Sequence, residues 1–221
     1  MASFDPQILP VESIAGEARL ATERMQADWL RARFAAQPLW MPEITDEQRL
    51  RQSDDAARPA AVLMPIIMRA DGPTLLFTQR TVDLKDHPGQ VSFPGGRMEL
   101  SDRSPIDTAL RETEEEIGLL RQHVEVIGSL PEYVTGTGYR VTPVAGLVLP
   151  PFDVVPDPRE VAEIFEVPLV FLMDGMNHQR RTAELPGGMG RRTFYTMPYQ
   201  RFFIWGATAG MLRNLFHFLR S

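Results

Sequence analysis

The hydrophobic residues of this chain change from helical spacing to strand-like runs near residue 60. From Val11 to Ala36 they recur about every 3.6 residues, which predicts one long helix. Two prolines end that pattern, and residues 43–59 are polar, as is typical of a linker. The chain is therefore predicted to consist of an N-terminal helical extension with its linker, residues 1–58, and a larger domain, residues 59–221.

The larger domain alternates strands with helices. Apolar runs and turn residues predict strands near 60–68, 74–79, 124–130, 140–149, 179–184 and 191–197, with a hairpin turn at 186–190 and a last helix over 206–219. Strands interrupted by helices, with several hairpins, favour a mixed-sheet α/β (α+β) sandwich over a doubly wound parallel sheet.

One helix of this domain has clear sequence signals at both ends. Ser104 suits the N-cap, the proline after it suits the first helical position, and Asp107 completes a capping-box pattern. Gly118 suits the left-handed position that closes a helix. The spacing predicts an inward stripe made of Ile106, Leu110, Thr113 and Ile117.

The same helix carries carboxylates that its own stability does not require. Glu112, Glu115 and Glu116 stand at i, i+3 and i+4, so they share one face. Like charges at this spacing destabilise a helix by about 0.2–0.5 kcal/mol per pair. A cluster of like charges that destabilises its own helix, with no local interaction to offset the cost, indicates a functional site. The hard oxygens of carboxylates suit Mg²⁺ or Mn²⁺. A solvated acidic helix face is the alternative interpretation.

A glycine turn, Phe93-Pro94-Gly95-Gly96, precedes this helix. Such a turn lets the backbone approach a ligand closely and can expose a carbonyl to a metal. Arg111 is always charged and can hold a carboxylate with its planar fork. Divalent ions that bridge a diphosphate would neutralise its charge and lower the pKa of a bound water. The residues therefore predict metal-assisted hydrolysis of a phosphoanhydride.

Composition narrows the classes of function. A 221-residue chain with 43% hydrophobic residues can bury a full core, and its formal charge of -6 argues against a non-specific nucleic-acid binder. The absence of cysteine excludes disulfides, thiolate zinc sites and cysteine nucleophiles. The sequence has neither a secretory signal pattern nor an apolar run near the ~20 residues of a membrane span. We expect a cytoplasmic protein that acts on a small molecule, with no nucleic-acid or membrane partner.

The glycine turn and the acidic helix together resemble the Nudix box, G-x5-E-x7-R-E-U-x-E-E-x-G-U, where U is aliphatic. Gly96 opens the box here and residues 111–119 close it. The chain departs from the pattern twice, because the glycine-to-arginine distance is one residue longer and Thr113 takes an aliphatic position. The first acidic position is consequently open between Glu99 and Asp102.

The longer box is typical of the coenzyme A diphosphatase branch of that family. The branch has L-L-T-x-R-[SA]-x3-R-x3-G-x3-F-P-G-G before the box, and residues 76–96 match its spacing throughout. Phe77, Thr81 and Lys85 are substitutions in this segment, and lysine for arginine keeps the charge but loses the planar fork. The resemblance spans roughly residues 60–215.

The resemblance implies a Nudix fold, an α/β/α sandwich around a mixed sheet, with a set of site residues. The implied catalytic residues are Arg111, Glu112, Glu115 and Glu116, and the implied ligands of Mg²⁺ or Mn²⁺ are the three glutamates and the Gly95 carbonyl. The implied substrate-binding residues are Arg80, Lys85, Gly89, Gly95 and Gly96, and the coenzyme A 3′-phosphate suits the two cations. The implied reaction hydrolyses coenzyme A to adenosine 3′,5′-bisphosphate and 4′-phosphopantetheine. The general base is open, with Glu160 and Glu163 as candidates.

Two other functions stay open at this point. The chain could hydrolyse another nucleoside diphosphate derivative, such as ADP-ribose or a dinucleotide, or it could be a non-catalytic Nudix-fold ligand sensor. The intact arginine and glutamates of the box argue against the sensor, because a sensor needs no metal carboxylates. Only the segment from Arg80 to Gly89 separates the two enzymes. Whether the N-terminal helix packs on its own domain or on a second subunit of a homodimer is also open.

Overall fold

The structure is a computed structural model that describes residues 4–44, 46, 57–84, 87–184 and 190–221. Its α-helices are α1 (Ala27–Ala36), α2 (Pro105–Ile117), α3 (Leu169–Leu172) and α4 (Gly206–Arg220). Short 3₁₀ turns lie at Thr22–Met25, Arg121–His123 and Gly175–Asn177. Among the described residues, no helix is long and apolar enough to cross a membrane.

The strands form two sheets. They are β1 (Ser13–Ile14), β2 (Arg58–Arg69), β3 (Gly72–Arg80), β4 (Val91–Ser92), β5 (Gly95–Arg97), β6 (Val124–Ser129), β7 (Tyr133–Val134), β8 (Tyr139–Val148), β9 (Val161–Pro168), β10 (Gln179–Glu184), β11 (Arg191–Tyr199) and β12 (Phe202–Trp205). The larger sheet has the order β4-β3-β2-β8-β6, with β5 paired to β2, β7 to β8 and β9 to β3. The smaller sheet has the order β1-β10-β11-β12.

The larger sheet is mixed, as the sequence predicts. Strands β2 and β8 run parallel, with Arg58 opposite Tyr139, while the other pairs of this sheet are antiparallel. This parallel pairing brings together the first residues of β2 and β8, which are distant in sequence, at one edge of the cleft described below.

The period-two alternation of β2 divides its side chains between two layers. Ala61 and Leu63 pack with Ala109 of α2 on one side of the sheet. Met64 and Ile66 belong to the main core on the other side, together with α4 and the smaller sheet. The sheet therefore lies between α2 and a layer that contains α4, which confirms the predicted α/β/α sandwich.

The predicted helix over residues 11–36 is wrong in its first half. Strand β1 lies there, and hydrogen bonds of 2.9 Å run from the backbone N–H groups of Glu12 and Ala15 to carbonyls of the β10 segment. Gly16, with φ +80°, turns the chain after β1, a short 3₁₀ turn follows at Thr22–Met25, and helix α1 begins at Ala27. Pairing with β10 outweighs the helical spacing of the apolar residues.

The N-terminal extension packs on its own chain. Leu30 of α1 is fully buried in the main core, and the ring centroid of Phe34 lies 4.6 Å from that of Phe218 in α4. Arg33 donates hydrogen bonds of 2.9 and 2.6 Å to the Phe218 carbonyl, where a cation also complements the helix C-terminus. The division of the chain at residue 58 and a homodimer both stay predictions.

Most of the remaining predicted elements are confirmed, and their ends are shifted by at most two residues. Strands β10 and β11 form the predicted antiparallel hairpin. Its predicted turn falls on residues 186–190, of which 186–189 lie outside the described residues.

Candidate active site

Helix α2 begins and ends where the sequence predicts. The Ser104 side chain accepts a hydrogen bond of 3.2 Å from the Asp107 N–H, and a proline occupies the first turn. Gly118 adopts the left-handed conformation, with φ +67°, and its N–H donates to the Glu114 carbonyl. The helix is thus capped at both ends, and it gives its carboxylates a rigid support.

The buried face of α2 differs from the predicted stripe. Ile106, predicted to point inward, is 38% exposed, whereas Glu116, predicted to lie off the stripe, is only 6% exposed. Thr113 and Ile117 are buried as predicted, and the rest of the buried face consists of Thr108, Ala109 and Glu116. The helix is rotated so that one carboxylate of the acidic face enters the interior beside the glycine turn.

Glu116 is buried against the glycine turn. Its Oε2 accepts a hydrogen bond of 3.2 Å from the Gly95 N–H. Burial raises the pKa of Glu116 to about 8, the Gly95 hydrogen bond and Arg80 oppose that rise, and Glu112 and Glu160 add to it. Burial is also the main cause that raises the pKa of Glu112. Both carboxyls therefore occupy a site that disfavours negative charge unless a cation is present.

The two glycines of the turn are required for different reasons. A Cβ on Gly96 would lie 2.5–2.6 Å from the carboxylate of Glu112, so this position leaves room for that side chain. Gly95 has φ +149°, and a Cβ there would collide with the Ala61 carbonyl oxygen and lie 2.5 Å from the Val62 Cα. In this structure Gly95 contributes its N–H to the site, and a metal bond from its carbonyl stays a prediction.

Arg111 is the centre of the hydrogen bonds around the carboxylates. Its Nε and Nη2 each lie 2.9 Å from an oxygen of Asp102, and its Nη1 lies 3.0 Å from both Glu112 and Glu115. Glu115 keeps 61% of its side chain exposed. The orienting role that the resemblance implies for Arg111 agrees with this geometry.

The structure separates the two candidates for the first acidic position. The Asp102 side chain is 4% exposed, and besides Arg111 it accepts hydrogen bonds of 2.9 Å from the Glu99 N–H and from the Thr108 hydroxyl. The Arg111 hydrogen bond is the main cause that holds the pKa of Asp102 well below its usual range. Asp102 thus positions Arg111, while the side chain left facing the open cleft is that of Glu99.

A cleft of about 1250 Å³ runs past the acidic helix. The predicted site residues that line it are Arg80, Gly89, Gly95, Gly96, Glu112 and Glu116. Glu99 and Glu160 line it as well, whereas Arg111 and Glu115 are not among its lining residues. Lys85, also a predicted site residue, lies outside the described residues.

Comparison with known proteins identifies the family. The family described as the NUDIX domain matches residues 57–187. The chain belongs to the Nudix hydrolase family. A relative from Photorhabdus laumondii subsp. laumondii, "Uncharacterized Nudix hydrolase NudL", is 42% identical over 165 residues, which cover 75% of this chain and 87% of that protein. A relative of the same name from Salmonella heidelberg is 40% identical over 195 residues, covering 88% and 95%.

A solved structure of a Nudix hydrolase from M. smegmatis, RenU, is also similar, with 25% identity and a TM-score of 0.44 over 51% of this chain and 71% of that chain. The predicted Nudix family and Nudix fold are confirmed, and membership in the family makes the protein a hydrolase. The names of these relatives state no substrate.

Nudix hydrolases generally use divalent metal ions, and part of the donor set of this chain fits one. Within the described residues, no three histidine, aspartate or glutamate side chains already converge as a metal cluster. Glu112 and Glu116 nevertheless offer hard oxygen ligands, and burial raises the pKa of both, so a bound cation would stabilise their charged forms. Glu115 would join them only after leaving Arg111.

The two candidates for the general base occupy different surroundings in this Nudix fold. Glu160 lines the cleft with Glu112 and Glu116, and its carbonyl accepts a hydrogen bond of 2.9 Å from the Thr81 N–H. Glu163 instead forms an ion pair with Arg201. Glu160 is therefore the candidate whose carboxylate can reach a ligand in the cleft.

Three further residues of the cleft wall were missed by the sequence patterns. Arg58, Arg97 and Tyr139 line the same cleft. Arg97 follows Gly96 directly, so its place in the box was a usable signal. The meeting of Arg58 with Tyr139 depends on the parallel pairing of β2 and β8, which no local pattern specifies.

Proposed function

We propose that this Nudix hydrolase is a Mg²⁺- or Mn²⁺-dependent coenzyme A diphosphatase. The reaction is CoA + H2O → adenosine 3′,5′-bisphosphate + 4′-phosphopantetheine, in which water attacks one phosphorus and the P–O–P bridge breaks. The runner-up function, hydrolysis of ADP-ribose or a dinucleotide, uses the same chemistry on a different leaving group.

The observation that supports this proposal is the composition of one cleft. The cleft combines the box carboxylates Glu112 and Glu116 with Arg80 and Gly89 of the segment that resembles the coenzyme A branch. Arg80 is near enough to Glu116 to oppose the rise in its pKa, so its charge acts close to the reacting diphosphate. The volume of about 1250 Å³ exceeds the roughly 300–1000 Å³ of common ligand pockets, which suits a long nucleotide substrate.

Each residue of the site then has a distinct role. A divalent ion held by Glu112 and Glu116 would supply charge neutralisation for the diphosphate and a bound water of lowered pKa. Arg111 keeps Glu112 in place through its hydrogen bond of 3.0 Å. Glu160 is the carboxylate that accepts the proton of the attacking water in this proposal, because it lines the cleft beside both box carboxylates.

A product assay tests the proposal. The purified protein is incubated with Mg²⁺ or Mn²⁺ and, in parallel, with CoA, acetyl-CoA, ADP-ribose, NADH and diadenosine polyphosphates, and the products are resolved by chromatography. We expect adenosine 3′,5′-bisphosphate and 4′-phosphopantetheine from CoA, with the highest kcat/KM for a CoA substrate. A higher kcat/KM for ADP-ribose than for CoA would reject the substrate assignment while leaving the hydrolase class intact.

A further inference from the structure

Two arginines share one tyrosine ring on the wall of the cleft. The guanidinium carbon of Arg58 lies 4.3 Å from the ring centroid of Tyr139, and that of Arg97 lies 5.5 Å from it. Arg97 Nε also donates a hydrogen bond of 2.8 Å to the Tyr139 hydroxyl. We call this group the Arg58–Tyr139–Arg97 platform.

The platform is held by the backbone of three paired strands. Arg58 begins β2, Arg97 ends β5 and Tyr139 begins β8. Arg58 and Tyr139 are register partners, and β5 pairs with β2 directly beside them. A site on paired strands is more precisely positioned than one on a loop.

Among the residues that the structure describes, the two platform arginines have no carboxylate to balance their positive charge. In the described part of the chain, no carboxylate forms an ion pair with Arg58 or Arg97, although Arg201 of the same cleft is paired with Glu163. Both platform arginines are exposed. Two guanidinium groups over one ring repel each other, and their planar forks match the oxygens of a phosphate.

The platform lies next to the carboxylates of the box but does not coincide with them. Arg97 follows Gly96, where an added Cβ would lie 2.5–2.6 Å from the Glu112 carboxylate. The Arg97 carbonyl also accepts a hydrogen bond of 3.2 Å from Arg111. Arg58, Arg97 and Tyr139 line the same cleft as Glu112 and Glu116. A substrate that lies along this cleft with its diphosphate at Glu112 and Glu116 would therefore have the platform available for a second anionic group.

We infer that the Arg58–Tyr139–Arg97 platform binds a phosphomonoester on the ribose of the nucleotide substrate. This inference rests on the proposed function and deepens it, since the group in CoA is the 3′-phosphate. The 2′-phosphate of NADPH presents the same chemistry on the neighbouring ribose position. Arg80, which acts on Glu116, is thereby assigned to the diphosphate, and the platform to the second anionic group.

Paired substrates test this inference. Initial rates are measured for CoA against 3′-dephospho-CoA and for NADPH against NADH, with the wild-type protein and with Arg58→Gln, Arg97→Gln and the double variant. We expect the wild-type protein to prefer the phosphorylated member of the pair that it hydrolyses. Each substitution should raise KM for that member about tenfold, because a charge-assisted hydrogen bond is lost, with kcat and the other member nearly unchanged.

Arg140→Gln is the matched control. Arg140 is the neighbour of Tyr139, is exposed and lies 3.6 Å from Glu132, so its loss removes the same charge from the same strand end outside the platform. We expect it to keep the substrate preference. A wild-type protein that does not distinguish the members of either pair, or platform variants that weaken both members equally, would overturn the inference. If the protein hydrolysed NADPH or NADH but neither CoA nor 3′-dephospho-CoA, the proposed function would be rejected. The preference for NADPH over NADH in the wild-type protein and the variants would then test the platform.

Discussion

Arg111 binds Asp102 through two parallel hydrogen bonds, from Nε to Oδ1 and from Nη2 to Oδ2, each 2.9 Å long. The remaining nitrogen, Nη1, holds Glu112 and Glu115. The buried aspartate therefore fixes the arginine, and the arginine fixes the carboxylates. An acidic residue that coordinates no metal thus determines the shape of the proposed metal site.

We expect Asp102→Asn to damage both stability and activity. The substitution keeps the volume but leaves Arg111 without its bidentate partner, and breaking a largely buried ion pair costs about 3 kcal/mol. Chemical denaturation measures that loss, and kcat should fall at least tenfold because Glu112 is no longer held. Asp28→Asn is the control, because Asp28 also pairs with an arginine, at 2.7 Å, but its side chain is 99% exposed. An equal loss of stability in both variants would contradict this role of Asp102.

Glu116→Gln should remove most turnover while leaving the fold intact. Glutamine has the same shape and can still accept the Gly95 hydrogen bond, but it gives a divalent ion no charged oxygen. We expect kcat to fall by about two orders of magnitude or more, since the site loses a charged ligand of the metal. Glu114→Gln removes the same charge from the same helix, where Glu114 binds Arg121, and should keep activity. Full activity of Glu116→Gln would reject the metal assignment.

The raised pKa of Glu116 also predicts a pH-dependent stability of the metal-free protein. Between pH 4.5 and about 8 the folded protein keeps a proton on Glu116 that the unfolded chain has released. The free energy of unfolding therefore falls as pH rises through this window, at about 1.4 kcal/mol per pH unit, and levels off above it.

Thermal melts in a chelator at pH 5 and pH 8 check this dependence. The wild-type Tm should fall with pH relative to the Tm of Glu116→Gln, which has no titrating group at this position. Added Mg²⁺ at pH 8 should raise the wild-type Tm more than that of the variant. If the Tm of the two proteins changed with pH in the same way, burial of Glu116 would not make the stability of the metal-free protein depend on pH.

The two glycines of the turn should respond differently to alanine. Gly95→Ala places a Cβ against the backbone at Ala61 and Val62 with φ +149°, so we expect a loss of stability of several kcal/mol, measured by denaturation. Gly96→Ala meets only the end of the Glu112 side chain. That variant should fold with a nearly normal Tm and lose metal affinity and turnover. A well-folded, active Gly96→Ala protein would show that Glu112 can move without consequence.

Leu30 tests whether the N-terminal extension is part of the core of the enzyme. Leu30 is fully buried, whereas Leu39, three residues after α1 ends, is 103% exposed. Leu30→Ala should cost about 2–5 kcal/mol in the free energy of unfolding, as in other cores, and Leu39→Ala should cost almost nothing. If Leu30→Ala is as mild as its control, the extension is dispensable and the division at residue 58 is a true domain boundary.

Local rules were sufficient to predict α2, the glycine turn and most strands. Caps, prolines and left-handed glycines act over a few residues, so Ser104 and Gly118 could be found without any tertiary information. The same local reasoning failed for residues 11–26, because the pairing of β1 with β10 is made between distant segments.

The site was predictable as a set of residue types but not as a geometry. The apolar period of α2 could not show that Glu116 would be buried, since its burial depends on the Gly95 turn packed beside it. The different roles of Asp102 and Glu99 depend on the reach of Arg111. The platform depends on a parallel strand pair that joins Arg58 to Tyr139 across the sheet.

The bonds of Arg111 have a consequence for how the enzyme matures. In the metal-free protein this guanidinium serves as an internal counterion for Asp102, Glu112 and Glu115. A zinc finger must wait for its metal before it folds, because its ligands have no other partner. We expect this chain to complete its fold first and to load a divalent ion afterwards, so that the supply of metal controls how much of the enzyme is active and not how much of it is folded.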